Sequence, residues 1–225
     1  MTEQSLSEGF VTISKEELAA LPAEEFSGEI RLIETTEQLE KALEILSKAD
    51  TVGFDTETRP SFHKGQINKV ALIQIALPQL CFLIRINKLG LSKELIDFFE
   101  NPGIKKIGLS LKDDFMNLSR ISDISPANCI DLQSFVKDYR LADNSLTKLY
   151  AVLFDKRISK GQRLTNWEAD PLSPAQKQYA ALDAAACLSI YHYLKKGNFS
   201  PFKSKYFKLQ QPETESESQD TGESK

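Results

Sequence analysis

Cysteine and histidine are scarce in this chain of 225 residues, which contains three cysteines and two histidines. Cys81, Cys129 and Cys187 are odd in number, lie far apart and form no C-x-x-C pair. The sequence therefore predicts neither a disulfide framework nor a zinc site. We expect the three cysteines to be small residues of the core.

The chain also lacks a long apolar run. No segment approaches the roughly 20 apolar residues that a membrane-spanning helix needs. The N-terminal residues M-T-E-Q-S-L-S-E have neither the basic region nor the apolar region of a secretion signal. These absences predict a soluble, cytoplasmic protein that acts without a membrane.

Charge is unevenly distributed along the chain: the net charge of −4 combines two acidic ends with a basic central body. Residues 1–30 carry seven acidic residues and one lysine, and residues 212–225 carry five acidic residues and one lysine. Removing these segments, of net charge −6 and −4, leaves a net charge of +6 for residues 31–211. A basic central body of this kind permits a phosphate-rich partner.

The composition predicts one domain with irregular ends, since 41% hydrophobic residues are enough for a core. We expect an acidic, partly ordered extension over residues 1–29, the main domain over residues 30–200, and an acidic disordered tail over residues 201–225. Within the extension, S-K-E-E-L-A-A-L predicts a short helix with a capping box formed by Ser14 and Glu17.

Strand and helix patterns follow one another through the main domain and predict a layered α/β fold. The strand-like runs are I-R-L-I-E, T-V-G-F-D-T-E, K-V-A-L-I-Q-I-A-L, L-C-F-L-I-R-I and I-K-K-I-G-L-S. Little more than P-Q separates the third run from the fourth, which predicts an antiparallel hairpin. Helical patterns cover T-T-E-Q-L-E-K-A-L-E-I-L, residues 111–122, and segments that start near Ser145 and at Ser173.

Two carboxylates lie at the end of the strand V-G-F-D-T-E-T. Because side chains alternate along a strand, Asp55 and Glu57 share one face. Neighbouring carboxylates repel each other unless a positive charge lies between them, and a metal cation would supply that charge. A solvated strand end is the alternative interpretation, but the apolar strand that follows argues against an exposed edge.

A further carboxylate comes from the segment S-L-K-D-D-F-M-N-L. Ser110 and Asp113 have the spacing of a capping box, which would account for Asp113. At about 100° per residue, Asp114 instead lies beside the apolar stripe of the helix. A carboxylate that borders the core is costly without a cationic partner, so Asp114 is a candidate ligand.

The last candidate carboxylate lies in the long C-terminal helix, whose start is marked by Ser173, Pro174 and Gln176. Tyr179 and Asp183 are four residues apart and therefore neighbours on its buried side. A tyrosine hydroxyl that satisfies a core aspartate is the simpler alternative. Tyr139 and Asp143 have the same spacing, but they lie in a loop-like segment and we reject them as a site.

Four acids that converge on one place would suit a hard cation, because Mg²⁺ and Mn²⁺ prefer carboxylate and water oxygens. Two such ions about 3.5 to 4 Å apart can support phosphoryl transfer. The sequence therefore predicts a metal site made by Asp55, Glu57, Asp114 and Asp183.

Three stretches together resemble one enzyme family: F-D-T-E-T-R-P followed by V-A-L-I-Q-I-A, then K-K-I-G-L-S-L-K-D-D-F-M-N-L, then L-T-N-W-E-A-D-P-L-S-P-A-Q-K-Q-Y-A-A-L-D-A. Their order and spacing are similar to the tyrosine-bearing branch of the DEDD 3′-to-5′ exonuclease superfamily. That branch includes ribonuclease D and the exonuclease domain of the Werner-syndrome helicase. The resemblance covers residues 30–196.

The resemblance implies a fold and a set of roles. The fold would be α/β and ribonuclease H-like, with a mixed five- or six-stranded sheet flanked by helices. Two Mg²⁺ or Mn²⁺ ions would be cofactors: Asp55, Glu57 and Asp183 would hold the first, and Asp55 would bridge to the second. Asp114 would support the second ion through water, and Tyr179 would orient the attacking water.

The implied activity is hydrolysis of nucleic-acid phosphodiester bonds from the 3′ end, with release of 5′-mononucleotides. The implied partner is RNA or DNA with a free 3′ end. Ribonuclease D carries a helical nucleic-acid-binding domain that this sequence lacks after residue 197. A separate protein partner is one source of the affinity that such a domain would supply.

Two alternatives to an enzyme stay open at this stage. An exonuclease fold could bind nucleic acid or protein without cutting, although all four acids are present. The acids could also be core residues paired with lysine or arginine. The basic run F-D-K-R-I-S-K-G-Q-R-L-T-N-W likewise has two interpretations: a loop that follows a nucleic-acid backbone, or a solvated loop above a packed Trp167.

Overall fold

A computed structural model describes residues 9–61 and 68–210 of the chain. The strands are β1 (Gly9–Val11), β2 (Glu29–Ile33), β3 (Thr51–Thr58), β4 (Val70–Leu77), β5 (Leu80–Ile84), β6 (Lys105–Gly108), β7 (Cys129–Asp131) and β8 (Phe207–Leu209). The helices are α1 (Lys15–Ala20), α2 (Thr36–Leu46), α3 (Ile86–Leu89), α4 (Lys93–Glu100), α5 (Leu111–Leu118), α6 (Leu132–Phe135), α7 (Leu146–Phe154) and α8 (Pro174–Lys195).

The central sheet of the described residues has six strands in the order β2-β5-β4-β3-β6-β7. Strands β3, β4 and β5 are antiparallel to their neighbours within this trio, which confirms the predicted hairpin. Strands β6 and β7 run parallel to β3, and β2 pairs in parallel with β5. This is the mixed sheet that the ribonuclease H-like prediction requires, in its six-stranded form.

Helices cover both faces of the sheet and create two cores. One core contains the buried side of α8 and most of α7, with Trp167 among its largest buried side chains. The other core lies between the sheet and helices α2, α4 and α5, and in it Phe54 of β3, Phe99 of α4 and Phe115 of α5 are in mutual ring contact. The site described below lies where β3 meets α8 and α5.

Helix α8 lies unusually close to β3 because of a glycine. A Cβ atom at Gly53 would lie 2.0 Å from the Ala184 carbonyl oxygen, so any larger residue would push the helix away. Asp55 follows Gly53 by two residues on the same strand face, and Asp183 precedes Ala184. The close contact therefore brings two of the predicted acids together.

The helix signals in the sequence are largely confirmed. Capping boxes form at Ser14 and at Ser173, with the predicted partners Glu17 and Gln176. The helix predicted over residues 111–122 is shorter and ends at Leu118, after which the chain turns through hydrogen bonds from residues 119–122.

The chain ends pack more tightly than their composition suggests. Strand β1 pairs with β8, so part of the predicted tail, residues 201–210, forms a 3-10 turn and a strand instead of a disordered segment. Apolar residues Val11, Ile13 and Phe26 of the predicted extension are buried in the same core as α8. Residues 211–225, which we also expect to be disordered, lie outside the described residues.

The cysteines agree with the sequence interpretation in part. Cys81 and Cys187 are buried and unpaired, whereas Cys129 is only half-buried. In the described part of the chain, the helices are too short or too polar to cross a membrane.

Candidate active site

Three of the four predicted acids form one cluster. Asp55 and Glu57 project from β3 toward α8, and Asp183 meets them from that helix. One carboxylate oxygen of each residue lies within 4.8 Å of those of the other two. Asp183 is only 7% exposed and Glu57 only 9% exposed, so the simple picture of a solvated strand end is wrong.

The acids in this cluster resist ionisation. Burial, followed by repulsion from Asp183 and Asp114, raises the pKa of Glu57 to about 9. Burial raises the pKa of Asp183 to about 7, although its hydrogen bond with Tyr179 opposes the shift. The pKa of Asp55 lies well above its ordinary value because the group is desolvated and has three carboxylates around it. A site that raises the pKa of all its acids would favour a bound cation.

Asp114 approaches the cluster from the opposite side of the strand. It lies in the first turn of α5 and accepts a hydrogen bond from the hydroxyl of Thr56, the residue between Asp55 and Glu57. Repulsion by Asp114 contributes to the raised pKa of Asp55, so the two groups are electrostatically coupled. Burial raises the pKa of Asp114 itself to about 7.

The predicted capping box at the start of α5 is wrong. Ser110 has a left-handed backbone (φ 62°) and its side chain caps nothing. The Asp131 carboxylate, from the end of β7, instead accepts hydrogen bonds from the Ser110 nitrogen at 3.2 Å and the Leu111 nitrogen at 3.0 Å. Asp113 is exposed, while Asp131 fixes the helix end from which Asp114 projects.

Tyr179 lies one helical turn before Asp183, as predicted, and its hydroxyl donates a hydrogen bond to that carboxylate. Burial and the nearby carboxylates Asp183 and Glu57 raise the pKa of Tyr179, so the phenol stays protonated at neutral pH. The ring lies 6.0 Å from the ring of Trp167, centroid to centroid, and Trp167 is fully buried. Tyr179 is therefore a fixed hydrogen-bond donor at the edge of the acid cluster.

Two basic residues face the acids, and the sequence interpretation did not select them. Lys160 and Arg163 line a cleft of about 270 Å³ together with Asp55, Tyr179 and Asp183. Burial raises the pKa of both Asp183 and Glu57; Lys160 opposes part of the rise at Asp183, and Arg163 opposes part of it at Glu57. The packed Trp167 is confirmed, but the loop above it also turns two cations toward the site.

In the described part of the chain, basic side chains stay beyond ion-pair distance of the cluster. In residues 9–61 and 68–210, none of the four carboxylates forms an ion pair with a basic side chain. Arg59, which follows the first motif, pairs with Glu168 at 3.1 Å. His63 and Lys64, four and five residues after Arg59, lie outside the described residues.

The rejected pair Tyr139 and Asp143 has a structural role. Asp143 accepts hydrogen bonds from the Thr12 hydroxyl at 3.0 Å and the Ile13 nitrogen at 3.2 Å, and it pairs with Lys148 at 2.7 Å. The Asp143 carboxylate therefore makes its contacts away from the acid cluster, in agreement with our rejection of this pair as a site.

The chain is similar in sequence and in structure to known 3′-5′ exonucleases. The family model described as 3′-5′ exonuclease matches residues 30–197. A 3′-5′ exonuclease from Arabidopsis thaliana is 33% identical over 190 residues, which are 77% of this chain and 66% of that protein. The mouse bifunctional 3′-5′ exonuclease/ATP-dependent helicase WRN is 34% identical over 155 residues, which are 66% of this chain and 11% of that protein.

A solved structure shares the fold. The Nibbler EXO domain from Aedes aegypti superimposes with a TM-score of 0.69 and 23% sequence identity, over 75% of this chain and 88% of that one. This likeness supports the ribonuclease H-like architecture of the sheet and its helices. The chain spans less than two thirds of the length of either relative matched by sequence.

Proposed function

The chain belongs to the 3′-5′ exonuclease family, and we propose that it hydrolyses nucleic acids from the 3′ end and releases 5′-mononucleotides. The observation that carries this proposal is the meeting of Asp55, Glu57 and Asp183, with ligand atoms within 4.8 Å of one another. These residues come from two elements, β3 and α8. The pKa of each is raised, and a purely structural core would avoid the cost of burying three such acids together.

The acid cluster fits a pair of hard divalent cations. All its donors are carboxylate oxygens, which Mg²⁺ and Mn²⁺ prefer, and no sulfur or imidazole ligand lies among them. Asp55, Glu57 and Asp183 would hold one ion, and Asp55 would also hold the second, which Asp114 would support through water. When bound, two such ions would activate water and neutralise the oxygen that leaves the phosphorus.

The chain's own residues would arrange the reactants around that pair. Tyr179 donates its single O–H proton to Asp183, so its oxygen can accept a hydrogen bond from the attacking water and would orient that water at the edge of the cluster. Because its pKa is raised, Tyr179 would keep its proton and would not act as a base.

Lys160 and Arg163 would bind the substrate backbone. Both side chains are exposed and line the cleft, so each could form a charge-assisted hydrogen bond with a phosphate oxygen. Phosphate would also separate these cations from Asp183 and Glu57, whose charges the metal ions would then balance. This arrangement favours a loop that follows the nucleic-acid backbone over a merely solvated loop.

The test is digestion of matched RNA and DNA oligonucleotides that carry a 5′ label. With Mg²⁺ or Mn²⁺, we expect stepwise shortening from the 3′ end and release of 5′-mononucleotides. A 3′-blocked oligonucleotide should resist digestion, and a chelator should stop the reaction. Metal-independent cutting, or internal cutting of the blocked substrate, would overturn the proposal.

Adjacent aspartates on α5 provide a matched pair of variants. Asp114→Asn should reduce the rate strongly, whereas Asp113→Asn, which changes an exposed neighbour in the same turn, should not. Tight oligonucleotide binding by the wild type with no hydrolysis in either metal would instead favour the non-catalytic binding module.

A further inference from the structure

Residues 9–27, which we name the N-terminal arm, lie outside the segment that matches the family model. The arm crosses the same side of the domain as α8 and buries Val11, Ile13 and Phe26. If burial of these three side chains were its only contact, the arm would simply shield part of the core from solvent. Apart from its contacts with residues 206–209, the arm makes polar contacts with two chain segments that lead into the cleft.

The first of these segments precedes α7. Backbone hydrogen bonds join Val11 to Arg140 at 2.8 Å and Ala142 to Val11 at 3.0 Å. The Asp143 carboxylate is held by Thr12 and Ile13 of the arm. The chain then continues directly into residues 144–147, which line the cleft.

The second segment follows α7 and is the basic loop, residues 155–166. The Arg157 nitrogen donates to the Pro22 carbonyl at 2.9 Å, and the Glu24 nitrogen donates to the Arg157 carbonyl at 2.9 Å. The Arg157 side chain adds a bond from Nε to the Leu21 carbonyl at 3.0 Å. The arm and the loop therefore pair through their backbones at this point, a parallel bridge between Ala23 and Arg157.

One side chain of the arm ties these parts together. The Glu24 carboxylate lies 2.9 Å from Lys156 Nζ and accepts a hydrogen bond from the Tyr150 hydroxyl at 3.0 Å. Its side chain is only 17% exposed, so these bonds are partly shielded from water. Glu24 thus anchors the start of the basic loop to α7.

Only three residues separate Lys156 from Lys160, and the loop is exposed at Ser159, Lys160 and Gly161. Exposed loop residues lose their fixed positions readily unless their flanks are held. Buried Ile158 and the arm provide that hold on one side, and the packed Trp167 provides it on the other.

We propose that the N-terminal arm, through Glu24 and its backbone pairing with Arg157, positions the basic loop so that Lys160 and Arg163 face the substrate phosphates. Glu24 is accordingly a positioning residue that touches neither the acid cluster nor the substrate. This inference rests on the proposed exonuclease function for its consequence, while its structural step can be measured separately.

The structural step is tested by limited trypsin digestion of the full chain, with cleavage after Lys160 and Arg163 followed by mass spectrometry. Glu24→Ala removes the bonds of the Glu24 carboxylate with Lys156 and Tyr150, and we expect cleavage at these two positions to be about tenfold faster than in wild type. Glu16→Ala is the matched control, because Glu16 is an exposed glutamate of the same arm, and among the described residues it forms no ion pair with the loop. Glu24→Gln, which keeps one acceptor, should be intermediate.

The functional step is tested by steady-state digestion of a 5′-labelled oligonucleotide. Glu24→Ala should raise KM by about tenfold with little change in kcat, because phosphate binding weakens while the acids are untouched. Mn²⁺ affinity, measured by calorimetry, should equal that of wild type. A general loss of structure would instead lower metal affinity and kcat together.

Unchanged trypsin cleavage in Glu24→Ala would overturn the proposal. Faster cleavage with unchanged KM would also overturn it, since a loosened loop would then have no bearing on substrate. A wild-type chain that digests nothing would refute the exonuclease function, and trypsin rates would still decide whether the arm holds the loop.

Discussion

The hydroxyl of Thr56 donates a hydrogen bond to the carboxylate of Asp114. Thr56 lies between Asp55 and Glu57 on β3, and its side chain points to the opposite face of the sheet. Asp55 and Glu57 form the cluster with Asp183 on one face of the strand, and Thr56 holds Asp114 of α5 on the other. Because side chains alternate between the two faces of a strand, β3 can contact acids from both sides of the sheet.

Replacing the Thr56 hydroxyl should disturb Asp114 without changing any acid. We expect Thr56→Val, which keeps the shape, to slow hydrolysis by about 10- to 100-fold, as is common when a partner of a metal ligand is removed. Thr56→Ser retains the hydroxyl and should keep most of the activity. Equal rates for the valine variant and wild type would show that Asp114 needs no anchor.

Burial and three neighbouring carboxylates raise the pKa of Asp55. Replacing Asp55 should therefore lower activity without lowering stability. Asp55→Asn should lower the hydrolysis rate by about 1,000-fold or more, since several kcal/mol of charge stabilisation depend on the site. The metal-free variant should be at least as thermostable as wild type, because one desolvated like charge is lost. Activity assays and thermal unfolding in a chelator check both statements. Full activity in this variant would count heavily against the assignment.

Tyr179→Phe should be milder. The ring, its contact with Trp167 and the packing of α8 are retained, while one hydrogen bond to a carboxylate is lost. Loss of such a bond corresponds to about a 10- to 100-fold decrease in kcat. The affinity for Mn²⁺ should be unchanged. Equal turnover in wild type and in Tyr179→Phe would show that the hydroxyl has no role in the mechanism.

Local sequence signals predicted much of this site, because its geometry follows from strand alternation and helix periodicity. The shared face of Asp55 and Glu57 and the i, i+4 pairing of Tyr179 with Asp183 need only those two rules. The capping box at Ser110 failed for the opposite reason. Its acceptor, Asp131, lies 21 residues further along the chain and meets the helix only after β7 has joined the sheet.

The two features that the sequence interpretation left undecided, the role of the basic loop and the packing of the N-terminal arm, also depend on distant contacts. Lys160 and Arg163 look like ordinary loop cations until the loop is fixed between the arm and Trp167. Acidic composition favours disorder near the N-terminus, yet a few buried apolar residues of the arm are enough to pack it against the core that contains α7 and α8. Composition does not predict such packing, because packing depends on the positions of a few apolar residues and not on how many there are.

The raised pKa values predict how stability changes with pH in the metal-free protein. Glu57 titrates at about 9 and Asp114 and Asp183 at about 7 in the folded chain, above their ordinary values of 4.5 and 3.8. Between those limits the folded state binds more protons than the unfolded state. The free energy of unfolding therefore falls as pH rises through this window, and the contribution is fully present only below the ordinary values.

Divalent metal should reverse this trend, because it replaces the protons at the same oxygens. We expect the Tm measured in a chelator to be lower at about pH 8 than at about pH 5, and we expect Mg²⁺ or Mn²⁺ to raise the Tm more at the higher pH. Asp183→Asn should flatten the metal-free profile and weaken the response to metal, while Asp113→Asn should change neither. A Tm that rises with pH in the chelator and ignores metal would mean that basic partners satisfy the four acids, and the cluster would then be a structural core.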